Sequence, residues 1–233
     1  SISEAPLKLT DLPPVIGRLT HLERLDVAQN NLSSLPNTVD GLINLKRLNI
    51  SSNTFTHLPN QVTNLIKLTH LDLSGNLCEQ LPSLNNLTQL HYLNIGENQL
   101  STLPDISKLR NLQWLIASYN QIENVPVHIG ELKNLVHLYL NDNKIRTIPK
   151  EISNLTTLFE ANLNNNQLEH LPPTMGKMAY LRNLDIDGNP LVELPISLGN
   201  IPNLRLNGTD PLFQNKTPPR EIEDHGRTIY IQE

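Results

Sequence analysis

Few side chains in this sequence are of the kinds that carry out covalent chemistry. The one cysteine, Cys78, could act as a nucleophile, and the eight histidines could act as general bases or metal ligands. A nucleophilic cysteine needs an exposed site that favours the thiolate. Cys78 instead occupies a position where comparable segments of the chain carry Leu, Phe or Ile. We therefore expect Cys78 to be buried and inert.

The histidines are scattered along the chain and are not spaced as metal ligands. A zinc site needs three or four ligands in one place, and the sequence has no Cys-x-x-Cys and no His-Glu-x-x-His. A glycine-rich phosphate loop is also missing. We predict no catalytic residue, no metal site and no cofactor, and hence a protein that is not an enzyme.

Charge and composition narrow the class of partner. The net charge of −5 argues against nucleic acid, because phosphate binding needs a basic surface. No apolar run approaches the roughly 18 residues of a membrane span, and one cysteine cannot form an intramolecular disulfide framework. We expect a protein partner, no contact with nucleic acid or membrane, and a monomer.

A repeat of 22 or 23 residues organises the whole chain and decides its architecture. Leu and Asn supply 44 and 30 of the 233 residues, in the pattern Leu-x-x-Leu-x-Leu-x-x-Asn-x-Leu-x-x-Leu-Pro. The first leucine of the pattern recurs at Leu22, Leu45, Leu68, Leu90, Leu112, Leu135, Leu158 and Leu181. We predict a cap or partial repeat over 1–21, eight repeats over 22–203, and a degraded repeat with a cap over 204–233.

Each column of the pattern has a structural reason. The alternating leucines point to one face of a strand, the Asn amide bonds backbone groups in the bend that follows, and Pro starts a short helical turn. The predicted fold is an α/β solenoid with a parallel sheet on the concave face and short 3₁₀ or α turns, or extended segments, on the convex face. The units starting at Leu68 and Leu90 lose one residue after the Pro, which predicts a tighter convex turn.

The pattern resembles the leucine-rich repeat family, in the 23-residue type of Ras-group, Roco and bacterial effector arrays. The segments Asp210-Pro211-Leu212 and 218–226 resemble elements that close such arrays. The resemblance implies small GTPases or signalling proteins as partners. Without cysteine pairs, it also implies the cytoplasm, or a host cytosol for a translocated effector. The start at Ser1 suggests a cut or processed piece of a longer protein.

Strand positions that are not leucine form the concave surface, and we expect them to carry the information about the partner. Five of the nine aromatic residues fall there, on four consecutive repeats, and such clusters mark interaction sites. Phe159 could instead turn inward beside Ala161, and the rings could merely cover the sheet. The face is basic in its early repeats and acidic in its later ones. The predicted partner-binding residues are Arg24, Arg47, His70, Tyr92, Trp114, Ile116, Tyr119, His137, Tyr139, Asp142, Phe159 and Glu160.

These observations favour a non-enzymatic protein-binding module, of the bacterial effector or signalling scaffold kind. Two alternatives remain open. The chain could be the targeting part of a larger enzyme that carries a GTPase, kinase or ubiquitin ligase domain. It could also be an extracellular recognition domain, an alternative supported by the glycosylation sequons at Asn31, Asn49, Asn86, Asn154, Asn207 and Asn215.

Overall fold

The leucine pattern folds into short strands that pair in chain order as one parallel sheet. The computed structural model describes residues 8–207 and, for the backbone alone, residues 220–224 and 227–231. Adjacent strands pair so that equivalent repeat positions lie side by side, as Leu25 does with Leu48. This confirms the predicted solenoid. Strands β1 to β9 are Arg24–Asp26, Arg47–Asn49, His70–Asp72, Tyr92–Asn94, Trp114–Ile116, His137–Tyr139, Glu160–Asn162, Asn183–Asp185 and Arg205–Asn207.

The core is a continuous stack of the repeated leucines. The middle residue of each strand from β1 to β8 points into it, and Ala161 takes this inward position in β7 where the other seven have leucine. Cys78 lies in the same stack, and its Sγ–H donates to the carbonyl of Phe55 at 3.4 Å. Burial raises the pKa of the Cys78 thiol to about 11, which disfavours the thiolate. The prediction of a buried cysteine is confirmed.

The return path of most repeats contains a five-residue 3₁₀ helix. In each helix, the proline lies one residue before the first helical position and its carbonyl accepts the first helical bond, as Pro36 does from the N–H of Val39 at 2.9 Å. Our placement of Pro inside the turn was therefore wrong by one residue. The seven 3₁₀ helices in the described part of the chain are Pro14–Arg18, Asn37–Gly41, Asn60–Asn64, Val127–Glu131, Lys150–Asn154, Pro173–Lys177 and Ile196–Asn200.

The two 22-residue repeats have a different return path. No 3₁₀ helix follows Pro82 or Pro104, because the missing residue removes the position needed to close it. Their backbones instead bond directly across repeats, with the N–H of Leu84 donating to the carbonyl of Asp105 at 3.0 Å. The return path therefore differs at these two turns, and the tighter turn stays a prediction.

A ladder of asparagines ties every repeat to the one before it. Each side-chain oxygen accepts a backbone N–H from the preceding repeat, at 2.9–3.1 Å in the seven buried rungs. Each side-chain nitrogen donates to a carbonyl of that repeat, also at 2.9–3.1 Å, and to carbonyls of its own bend. The rungs are Asn30, Asn53, Asn76, Asn98, Asn120, Asn143, Asn166 and Asn189.

Two further strands near the C-terminus pair with each other in antiparallel fashion. Strand β10, Arg220–Asp224, pairs with β11, Arg227–Ile231. The segments 210–212 and 218–226 that resemble array-closing elements lie mostly outside the described residues, as does the sequon at Asn215. Within the described ranges, no helix is long and apolar enough to cross a membrane.

Replacing a rung of the ladder should destabilise the fold far more than replacing an exposed asparagine. Asn120→Ala leaves the buried N–H of Leu100 without a partner and removes one of the two side-chain donors to the carbonyl of Ile95, the other being Asn98, which costs about 1–3 kcal/mol. Asn124→Ala, on an exposed residue of the return path, should change stability by less than about 0.5 kcal/mol. Denaturant unfolding of both variants measures the difference. Equal effects would contradict a structural role for the ladder.

Candidate partner-binding face

The first residue of every strand points to the open side of the sheet and forms a continuous row across it. Parallel pairing places these side chains on adjacent strands, with Tyr92 beside Trp114 and Trp114 beside His137. The row is basic at Arg24 and Arg47, aromatic in the middle, and acidic at Glu160. The structure therefore puts the predicted residues of this row on one surface.

Four rings in the middle of the face stack into what we call the aromatic cluster: Trp114, His137, Tyr139 and Phe159. The Trp114 and His137 rings lie 3.6 Å apart between centroids and 20° from parallel. Tyr139 lies 6.2 Å from Trp114, and Phe159 meets His137 edge-on at 6.5 Å. The stacked rings fix one another and present a rigid apolar surface.

Phe159 stays outside the core. Its side chain is 44% exposed although the neighbouring inward residue is the small Ala161. Leu158 points inward ahead of it, so the alternation along the extended chain turns Phe159 outward. The alternative in which Phe159 fills the gap at Ala161 is wrong.

Glu160 fixes the orientation of the cluster from its acidic side. Its Oε2 accepts a hydrogen bond from the Tyr139 hydroxyl at 3.0 Å and lies 3.1 Å from Nδ1 of His137. Because a carboxylate only accepts, this geometry places a proton on Nδ1. Burial, and then the hydrogen bond to Glu160 and its negative charge, raise the pKa of Tyr139 to about 12. Tyr139 therefore stays a neutral donor over the physiological range.

The third residue of most strands has a structural role, contrary to our expectation that no concave position is structurally dictated. In five strands it is an Asp or Asn whose Oδ1 accepts the backbone N–H two residues further on, at 3.0–3.1 Å. Some of these side chains also bond sideways, as Asn94 does to Asp72 at 3.3 Å. Ile116 and Tyr139 hold the same position in β5 and β6 and cannot form this bend. They are the two places in this row where the side chain is neither Asp nor Asn.

The position before each ladder asparagine also has a backbone requirement. Its φ angle is positive in all eight repeats, including those of Tyr119 at 55° and Asp142 at 55°. Asp142 fits the bend and accepts hydrogen bonds from the side chains of Asn165 and Asn141. Tyr119 is bulky and disfavoured there, yet its side chain is 57% exposed. This local strain makes Tyr119 a stronger functional candidate than Asp142.

The basic end of the face is less charged than its sequence suggests. Lys46 pairs with Glu23 at 2.7 Å, so one of its cations is already neutralised. Arg24 and Arg47 lie directly beside each other on β1 and β2. Burial, and then the charge of Arg47, lower the pKa of His70 on the next strand.

An open cleft of about 400 Å³ divides the face between Tyr92 and Trp114. Tyr92 stacks on His70 at 5.9 Å, away from Trp114, which stacks on His137. The cleft is lined by Thr69, His70, His91, Tyr92, Gln113 and Trp114. Our candidate residues did not include Thr69, His91 or Gln113. The sequence could have pointed to these three residues, because each lies just before the strand of its repeat and the three repeats are adjacent.

The described residues contain no group of three or more His, Cys, Asp or Glu side chains that could hold a metal ion. What this face can do with the groups present is bind. It offers stacked rings, an oriented carboxylate and two adjacent guanidinium groups.

Comparison with known proteins identifies the family. Family models described as leucine-rich repeat and leucine-rich repeat region match residues 20–78 and 74–163. The chain is a leucine-rich repeat protein. No curated protein sequence shows significant similarity to it.

Three solved leucine-rich repeat structures show how widely the fold is shared. A protein of Leptospira interrogans is 35% identical over 86% of this chain, with a TM-score of 0.81, and this chain spans 52% of its length. The ectodomain of a membrane receptor kinase from Arabidopsis thaliana, solved in complex with Casparian strip integrity factor 2, is 29% identical. It covers 84% of this chain, which spans 25% of it, with a TM-score of 0.75. Internalin C2 of Listeria monocytogenes is 23% identical with 82% of both chains covered and a TM-score of 0.75, which shows the fold alone.

Removing the charge of Glu160 should lower the pKa of Tyr139. In Glu160→Gln the pKa falls from about 12 part of the way to 10.0, because burial of the phenol remains. A phenol whose pKa is raised on folding stabilises the folded state below pH 10, and this stabilisation is lost as the pH rises from there to about 12. The tyrosinate absorbance of wild type and of Glu160→Gln is measured against pH. Subtracting the absorbance of the same protein with Tyr139→Phe leaves the titration of Tyr139. An unchanged midpoint would show that Glu160 does not act on Tyr139.

Proposed function

We propose that this leucine-rich repeat protein binds a protein partner on its concave face, with the aromatic cluster as the centre of the interface. Members of this family commonly serve as protein–protein interaction modules and are typically not enzymes. The observation that supports a site here is the stack of Trp114, His137 and Tyr139, held in a fixed orientation by Glu160 on an open surface.

The physical chemistry of interfaces favours this surface. Trp and Tyr dominate interface hot spots because their large rings bury much area with few rotatable bonds. Stacking has already removed the freedom of these rings, so binding costs less ordering entropy. The four strands that carry the rings span about 15 Å, a width comparable with the central patch of a protein interface.

Charged groups on the early and the late strands would orient the partner. Arg24 and Arg47 are the first residues of β1 and β2, and Glu160 on β7 and Asp185 on β8 make the later strands acidic before Arg205 begins β9. Such a bipolar arrangement raises the encounter rate and selects one direction of docking. The proposed site keeps the predicted residues and ranks Asp142 below the others, because its hydrogen bonds already have a structural role.

The biological setting is a further part of the proposal. The similarity to a Leptospira protein supports a bacterial effector over a signalling scaffold. The single cysteine supports a reducing compartment, the cytoplasm or a host cytosol. A small GTPase or signalling protein as partner rests on family resemblance.

Truncating three rings of the concave face should abolish partner binding without unfolding the array. Tyr92→Ala/Trp114→Ala/Tyr139→Ala should weaken binding by more than about a hundredfold, since each ring is a hot-spot type. The matched control is Ile43→Ala/Ile66→Ala/Tyr180→Ala, which removes side chains that are 58%, 57% and 66% exposed away from the strands.

Affinity capture from a lysate, with mass spectrometry and titration of the retained protein, measures the effect. Both triple variants should keep the melting temperature of the wild type within a few degrees. Binding that survives loss of the rings, or that is lost equally in the control, would overturn the proposal.

Extracellular recognition is a second candidate, because the Arabidopsis relative is a receptor ectodomain and several sequons lie on the surface. Asn86 and Asn154 are exposed at the same repeat position, whereas the amide of Asn49 already bonds Asp26. If the protein passes through a eukaryotic secretory pathway, Asn86 and Asn154 should carry glycans and Asn49 should not. Mass spectrometry of the native protein tests this, and bare Asn86 and Asn154 would remove the candidate.

A further inference from the structure

The cleft between Tyr92 and Trp114 is a break in an otherwise continuous row of rings. Parallel strands lie about 4.8 Å apart, so rings in register on neighbouring strands usually stack. Tyr92 and Trp114 are in register, but Tyr92 stacks on His70 and Trp114 stacks on His137 and Tyr139, all on the sides away from the gap. The gap of about 400 Å³ thus has an aromatic wall on each side, which suits a flat ligand group.

His91 provides an unused hydrogen-bond acceptor in the cleft. Its Nδ1 lies 2.7 Å from the carbonyl oxygen of Gln89. A carbonyl only accepts, so Nδ1 carries the proton and, in the neutral ring, Nε2 is left with a lone pair. Nε2 has no partner among the described residues and is not among their enclosed unpaired atoms, so it is open to solvent.

The charges around the cleft disfavour an ionic ligand of either sign. Burial, and then nearby positive charge with Arg47 first, lower the pKa of His70, so a cation would be repelled from the wall that His70 forms with Tyr92. Asp72 acts on Tyr92 in the opposite sense and, after burial, raises its pKa, so an anion would be repelled from the same wall. A neutral planar group with a hydrogen-bond donor at its edge avoids both repulsions, and its donor can pair with His91.

We propose that the cleft receives a tyrosine side chain of the protein partner, its ring between Tyr92 and Trp114 and its hydroxyl donating to Nε2 of His91. The inference rests on the proposed binding face and names the partner chemistry that the face selects. Gln113 at the cleft offers an amide to the phenol oxygen. The tyrosine would thus be read by ring shape and by its hydroxyl.

The test uses model side chains and needs no partner. Trp114 is the one tryptophan of the chain, so its indole N–H gives a single NMR signal from one wall of the cleft. At about pH 8, where an ordinary histidine is neutral, N-acetyl-tyrosinamide should shift this signal saturably, with a roughly millimolar dissociation constant. N-acetyl-phenylalaninamide, which lacks the hydroxyl, should bind about three- to tenfold more weakly.

Variants locate the effect. His91→Ala should reduce the tyrosine probe to the affinity of the phenylalanine probe, while His170→Ala, at an exposed histidine outside the cleft, should leave both unchanged. The proposal is overturned by no saturable shift, by equal binding of the two probes to wild type, or by tighter binding of N-acetyl-argininamide or the O-phosphotyrosine analogue. Any of these results leaves the ring-truncation test of the whole face intact, so the two failures are distinguishable.

Discussion

Buried asparagine amides are the constraint on which the structure depends. A three-residue strand is too short to supply hydrogen-bond partners for the backbone groups of the bend that follows it. Inside a stacked array, these groups would be left unsatisfied. Each asparagine supplies an acceptor and two donors at that point and reaches the repeat before it, as Asn120 does with Leu100 and Ile95. Stability is therefore a property of neighbouring repeats and not of any one repeat.

This constraint also decides which parts of the concave face are free for binding. Two positions around the bend are tied to it, the Asp or Asn that accepts a backbone N–H and the residue with positive φ. At the first position the chain places Ile116 and Tyr139 instead of Asp or Asn, and at the second it places the bulky Tyr119. Tyr139 stacks on Trp114 and His137, and Ile116 shares the strand of Trp114. A binding site can lose local stability in this way when the side chains needed for the partner matter more than that loss.

Much of the fold follows from spacing, because the leucine, asparagine and proline columns each have one physical role. The repeat period also predicts which side chains share the concave face, since register alone makes Trp114 and His137 neighbours. It does not give ring orientation, so the break between Tyr92 and Trp114 could not be foreseen. Nor does it show hydrogen bonds that run sideways, and Asp142 was therefore taken as free. The 3₁₀ helices begin one residue after the proline because the proline carbonyl accepts the first helical hydrogen bond. The ring itself does not set where the helix begins.

Site-specific photo-crosslinking tests the central claim, that the partner docks on the concave aromatic face, most directly. Tyr119 and Tyr180 are matched positions, 57% and 66% exposed, one following its strand beside the cluster and the other preceding its strand. Replacing each in turn by benzoyl-phenylalanine keeps an aromatic ring at the site. The account predicts that a partner is crosslinked from position 119 and not from 180. Crosslinking of the partner from 180 alone would contradict it.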